Sequence, residues 1–477
     1  MRKQFLLNIF FLILLNVLIK PFWVLGIDRT IQNEVGSAEY GWYFSLFGFS
    51  FLFNSLLDLG VTNFSSWSIS RNPSFVRLGF EKLARLKLVL GVLYVVVTVL
   101  VALIFEYDQK SILLLFGLCI NQFLLSYILF QRSVLAGLQI FWLDSIFSIM
   151  DKLLVIVGCS YLLWFSGISI FEIEWLVYVQ LLSYIGTGVI LLLINFMKKK
   201  SQMDSPGAKL AFAELLQKSY PFAVIILFMT FYYRIDAFMI ERMLEDGATQ
   251  AGYYAQSFRL FDVLNNFIFL ITGILFPMLT KSFFENKDTS MLTSMVLRLL
   301  LFPAVILLPL TILKGGELMK LLYSAPFISS NQLLVLFCIA LIGLGLTSVY
   351  GTALTAKGEL MKMIKITGVG FGINLTLNGL LIPYYGIIAA AATSAFTQVF
   401  IGLLMYRTVI RLKIGLNQIN WMFKYLAVFA LLTISAFGIK SFQLSNYFLL
   451  LFLPMFILSG LYLLRSEVTS LKKIRFN

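Results

Sequence analysis

A chain of 477 residues that is 60% hydrophobic and only 13% charged cannot cover a water-soluble body, since soluble domains carry about 25% charge. Its mean hydropathy of +0.91 makes lipid the solvent; the formal net charge of +14 sits in short breaks between apolar runs, where it sets topology, with no aromatic-interleaved basic run to form a nucleic-acid groove. Cys119, Cys159 and Cys338 lie far apart inside apolar segments and suggest neither a disulfide framework nor a zinc site, and the absence of histidine excludes a His-based metal site, a Ser-His triad and a histidine proton relay.

The first apolar run follows Met1-Arg2-Lys3, contains Lys20-Pro21 and ends in bulky Trp23-Val24-Leu25. It lacks a small-residue cleavage site and reads as a retained helix, kinked at Pro21, rather than as a cleaved signal. Runs of bilayer-spanning length recur about fourteen times without period-two alternation, which predicts an all-α polytopic membrane protein. Their cores are Phe5–Ile27, Tyr40–Thr62, Leu83–Phe105, Ile112–Leu135, Leu143–Phe165, Trp175–Met197 and Leu215–Ile240. Then come Tyr253–Leu279, Met295–Leu313, Gln332–Leu354, Ile364–Ile382, Gly386–Tyr406, Trp421–Ile439 and Tyr447–Leu464. With the N-terminus inside, about 25 lysines and arginines fall on inner segments against 6 on outer loops (Arg29, Lys110, Arg242, Lys314, Lys320 and Lys440). Lys87 is counted there with the inner group. Both termini are therefore expected in the cytoplasm.

The longest inner connection carries Lys198-Lys199-Lys200 and Asp204-Ser205-Pro206-Gly207, a charged, turn-forming linker. It divides the chain into a first lobe at 1–200, a linker at 201–213, a second lobe at 214–412, and a helix pair with a tail at 413–477. The expected fold is two pseudo-symmetric six-helix lobes plus that pair. The lobes share a motif: Gly36 to Tyr43 and Gly247 to Tyr254 both read Gly, four residues, Gly, one residue, Tyr, in an outer loop entering a helix. Asp28 and Asp236 stand ahead of the two copies. Both copies begin on the same side, so the repeat is parallel, as in two-lobed transporters.

Charge within a span costs roughly 2.5–3.5 kcal/mol on insertion scales, so intramembrane ions are the functional pointers. Lys20 beside Pro21 is a cation near a kink. Arg259 and Asp262, three apart, share a helix face and can pair. Arg234 and Asp236, two apart, cannot share one. These four read either as an ion-pair network clamping helices or as a polar cavity for an anionic headgroup and a coupling cation. Asp58, near an inner helix end before Gly60, and Asp151-Lys152 read equally as water-facing. Asn54, Asn121, Gln122, Asn265, Asn266, Asn374 and Asn378 read as interhelical hydrogen bonders.

The segment from Gly36 to Phe44, running into Phe47-Gly48-Phe49-Ser50-Phe51, resembles the start of bacterial oligosaccharide flippases. These are the polysaccharide transporters of the multidrug/oligosaccharidyl-lipid/polysaccharide exporter superfamily. Leu381-Ile382-Pro383-Tyr384-Tyr385-Gly386, followed by Ile387-Ile388 and Ala389 to Thr393, is similar to that family's Pro, two residues, Gly and small-residue run, with Ala389 where Gly is common. The resemblance implies a two-lobed bundle with a cationic central cavity. It would turn polyprenyl-pyrophosphate-linked oligosaccharide from the inner to the outer leaflet of the cytoplasmic membrane by alternating access, for O-antigen, capsule or exopolysaccharide. Lys20, Arg234 and Arg259 would meet the pyrophosphate, and Asp236, Asp262 or Asp58 would take H+ or Na+ as coupling ion. No cofactor is expected; polysaccharide polymerase machinery is a further partner. Two alternatives stay open: a cation-coupled drug antiporter of the same superfamily, which would favour an acidic and aromatic cavity, and an enzyme acting on lipid-linked sugars, for which the outer loops are short.

Overall fold

The computed structural model describes residues 16, 18–62, 65–66, 69, 75–138, 140–167, 170–200, 212–412, 414 and 420–441. The final expected span, most of the first and residues 201–211 of the linker lie outside the described residues. The chain packs as two compact units, Met1–Gly252 and Tyr253–Asn477. The α-helices in chain order are α1 Arg29–Leu52, α2 Phe75–Ile104, α3 Gln109–Gly137, α4 Phe141–Trp164, α5 Ile173–Lys200 and α6 Phe212–Met243. They continue as α7 Gly247–Phe284, α8 Ser290–Leu322, α9 Ser330–Lys357, α10 Leu360–Arg411 and α11 Asn420–Ser441. Among the described residues there is no strand, and nine helices, α2 to α10, are long and apolar enough to cross a bilayer. This is a multi-pass membrane protein, as its composition demands.

The helix boundaries explain how nine long helices hold more crossings. A straight helix of 52 residues would run about 78 Å, more than twice the hydrocarbon thickness. α10 breaks at Gly386, whose φ of 61° and ψ of −145° are open to glycine. The break separates the expected spans Ile364–Ile382 and Gly386–Tyr406.

The first unit departs from expectation in three places. Helical residues 18–22 pass Pro21 and widen into a π-helix at Trp23–Asp28, where the Arg29 N–H reaches back to the Val24 carbonyl. Proline removes a backbone donor, and the wider turn lies directly after it. Next, neither motif copy is a loop: helix continues through the first, breaking only at Gly36 (φ 80°), and α7 starts at Gly247, the first residue of the second. Finally, the second span stays α-helical only to Leu52, followed by a 3-10 turn at Asn54–Leu57 and left-handed Leu59 and Gly60.

Side-chain packing holds these pieces. α1 lies along α6: Phe49 stacks near Phe238 at 5.2 Å, and Gly48 lets the Arg234 carbonyl approach. In the second unit α9 packs along α8 and α10, and Phe258 and Phe261 of α7 meet Phe337 of α9 at 5.6 and 5.4 Å. α11 buries Leu432 and Ala436 against Ile312 and Leu313 of α8.

Candidate functional site

Lys20 stands half-buried one turn before the π-helix, within electrostatic range of Asp151, Lys152 and Arg132. On α4, Asp151 is buried, and Lys152 Nζ lies 3.5 Å from its Oδ2 and 3.1 Å from the Tyr184 hydroxyl of α5. Asp151 therefore faces protein rather than water, while Lys152 keeps a quarter of its side chain exposed. Asp28, the last residue of the π-helix, is 1% exposed and accepts a 2.8 Å hydrogen bond from the Tyr40 hydroxyl. Arg132 at the end of α3 pairs with Asp144 at 2.7 Å. The first unit thus carries charges of both signs from its first helix, α3 and α4, with the Tyr184 hydroxyl of α5 beside Lys152.

Asp58 has a different setting. It pairs with Lys87 of α2, a residue only 1% exposed, and its carboxylate also accepts from the Thr62 N–H and hydroxyl. Lys87 donates further to the Leu57 carbonyl at 3.0 Å and to Ser126 Oγ at 2.9 Å. The broken second span exposes carbonyls that hydrocarbon cannot satisfy, and the buried ammonium meets one of them. Lys87 is not a topology-setting surface cation, as its place near an inner loop suggests. It closes a helix break.

Arg234 of α6 sits among rings, its guanidinium carbon 5.2 Å from the Phe51 centroid, 5.9 Å from Phe47 and 5.0 Å from Tyr233. Rings within about 6 Å attract a cation through their quadrupole. Asp236 is 1% exposed. In the second unit Arg259 and Asp262 are both 8% exposed, with Nη1 3.9 Å from Oδ2, the pairing their spacing predicts. Arg298 on α8 is equally buried, with its Nε donating to the Ser294 carbonyl at 3.3 Å. Sequence reasoning passed over Arg298, which stands close to the start of its span; reading every cation inside a span as a candidate would have found it.

The structure therefore joins Arg259 to Asp262, binds Asp58 to Lys87, sets Lys20 beside Asp151 and Lys152, and rings Arg234 with aromatics. Among the described residues no cluster of carboxylates or cysteines has the form of a metal site. Buried cations with adjustable carboxylate partners can hold an anion, or exchange it for a proton or cation, within an apolar body.

Comparison with known proteins bears on the family and the fold. A family model described as "Polysaccharide biosynthesis protein" matches residues 5–283. An uncharacterised membrane protein of Methanocaldococcus jannaschii is 28% identical over 138 residues; the match covers 28% of this chain and 27% of that relative's length. Among solved structures, the lipid II flippase MurJ in an inward closed conformation superposes with a TM-score of 0.67 at 14% identity, covering 99% of this chain and all of that one. A multidrug resistance MATE family transporter of the MOP superfamily, outward-facing, superposes with a TM-score of 0.59 at 14% identity, covering 85% of this chain and 95% of that one. Those likenesses show the fold. The match over more than half of the chain shows the family: this multi-pass membrane protein, with the fold of MOP-superfamily transporters, belongs to the Polysaccharide biosynthesis protein family.

Proposed function

We propose that the protein is a flippase that moves polyprenyl-pyrophosphate-linked oligosaccharide units from the inner to the outer leaflet of the cytoplasmic membrane. It works by alternating access, serves surface polysaccharide assembly, and performs no covalent chemistry. The observation that carries this reading is the set of intramembrane cations, Lys20, Arg234 and Arg259, in a chain of this family that is only 13% charged. Diphosphate is the part of such a substrate that apolar surroundings reject most strongly, and buried cations offset that penalty.

The carboxylates supply the coupling. Asp262 holds Arg259; a proton or Na+ taken up there releases the guanidinium to a phosphate oxygen, and its loss draws the guanidinium back. Buried Asp236 is the matching candidate on α6. Asp58, engaged by Lys87 and Thr62, maintains the break in the second span.

The test is lipid mass spectrometry on the host with this gene deleted, with sidedness read by an impermeant glycosidase. Accumulation of the lipid-linked oligosaccharide on the inner leaflet, reversed by the intact gene but not by Arg234→Ala or Arg259→Ala, supports flipping. Unchanged lipid pools with intact surface glycan would sink it. That outcome would favour cation-coupled antiport of a small molecule, which the likeness of fold to a multidrug transporter also supports.

A further inference from the structure

Where α2 and α6 stop, the first unit carries a cleft of about 460 Å3, within the range of small-molecule sites. Five of its eight lining residues are charged, in a chain that is 13% charged overall. The basic-residue asymmetry places this end outside the cytoplasm.

The walls are braced. Arg242 lies over the Tyr107 ring, 3.7 Å from its centroid, with Nε 3.2 Å from Glu241 Oε2. The Tyr107 hydroxyl donates to the same Glu241 oxygen at 3.3 Å. Opposite them, Lys110 stands 4.7 Å from the Trp42 ring centroid and 3.3 Å from Glu174, and Trp42 Nε1 donates to Ser111 Oγ at 2.8 Å. Such bracing fixes donors and acceptors before a ligand arrives, which lowers the entropy lost on binding.

The charges decide the ligand class. Glu106, Asp108 and Glu241 oppose Lys110 and Arg242, so the cleft has no surplus of cations for a diphosphate. Its carboxylates do not form a metal cluster among the described residues. What suits closely set carboxylates, a guanidinium and aromatic rings is a neutral polyol, whose neighbouring hydroxyls donate and accept in turn, in bidentate fashion. The Ser111 hydroxyl beside Asp108 holds that carboxyl below its usual range, keeping it an acceptor.

We propose that this cleft is a saccharide-binding subsite, taking a neutral sugar residue of the oligosaccharide at the outer mouth of the pathway. The inference rests on the flippase reading and adds where the glycan is held, apart from the intramembrane cations.

The test uses the full chain in lipid nanodiscs with two probes: the oligosaccharide unit released from its lipid by mild acid, and inorganic pyrophosphate. Saturable glycan binding, weakened about tenfold by Trp42→Ala or Arg242→Gln while pyrophosphate binding is unchanged, supports the subsite. Lys110→Gln, at a side chain 66% exposed, leaves packing intact and should weaken glycan binding several-fold. No saturable glycan binding, equal binding by all three variants, or displacement of glycan by pyrophosphate overturns the subsite. Turnover of lipid-linked oligosaccharide in proteoliposomes is measured in parallel. Turnover without glycan binding discards the subsite and keeps the flippase; glycan binding at the cleft without turnover keeps the subsite and discards the flippase.

Discussion

Gly41 and Gly252, equivalent positions of the two motif copies, stand at one crossing where neither has room for a side chain. A Cβ at Gly41 would run into the Ala248 carbonyl oxygen and the Gly252 nitrogen; one at Gly252 would run into the Ser37 carbonyl oxygen. The Gln32 side-chain amide also donates to the Gly252 carbonyl at 2.9 Å. Small residues let backbones approach closely in lipid, where packing rather than the hydrophobic effect joins helices. The repeat legible in the sequence is thus a contact in the fold.

Gly41→Ala and Gly252→Ala should each destabilise the protein by about 1–3 kcal/mol, the range for overpacking a close contact. Gly372→Ala, with nothing near its added methyl, serves as the control. Thermal unfolding in detergent reads the difference; equal midpoints for all three would show that the crossing can relax.

Lys87→Met should cost about 1–3 kcal/mol, because it leaves the Leu57 carbonyl of the broken span unsatisfied and removes the cation partner of Asp58. The double variant Lys87→Met with Asp58→Asn should recover much of that loss, since no unpaired ion then remains. A double-mutant cycle in denaturant measures the coupling, and strictly additive effects would contradict it.

Exchanging the pair as Arg259→Asp with Asp262→Arg keeps opposite charges three residues apart on α7. Folding should persist while transport falls at least about tenfold, because the cation has moved. Retained transport would mean that the pair is structural and does not hold the substrate.

Cys119, Cys159 and Cys338 are free and buried. A membrane-permeant maleimide should leave all three unlabelled in the folded protein and modify them after denaturation, as intact-mass spectrometry would show. Rapid labelling of Cys159, which neighbours Asp28 in the first unit, would instead reveal an opening there.

The depressed carboxyl of Asp108 contributes stability above the unfolded carboxylate pKa, and that contribution is lost as pH falls through the lower folded value. Asp108→Asn should therefore narrow the stability difference between neutral pH and about pH 3. The effect will be small at so exposed a position, and is best read as a shift in the acid-unfolding midpoint.

Much of this protein was legible in its sequence because the responsible forces act locally. Hydropathy over about 20 residues names a span whatever its neighbours, and three-residue spacing on a helix pairs Arg259 with Asp262. The same local reading placed Lys87 with inner surface cations and both motif copies in loops. Charge near a span end does not say which way a side chain turns, and a glycine break can be absorbed inside a helix. Asp28, Asp151 and Lys152 took on meaning only from their burial and from the Tyr40 and Tyr184 hydroxyls that tertiary packing brings to Asp28 and Lys152.

By itself the sequence determined the solvent, the helical class, the positions of most spans among the described residues and the family resemblance, all set by composition and short-range pattern. Only the tertiary structure decided that Lys87 closes the break after Leu57, that Gly41 meets Gly252, and that Arg242 covers Tyr107. These contacts join residues 30 to 211 positions apart and depend on which helix faces pack together. A one-dimensional pattern of hydropathy leaves that choice of faces open; close packing and the need to satisfy buried polar groups settle it.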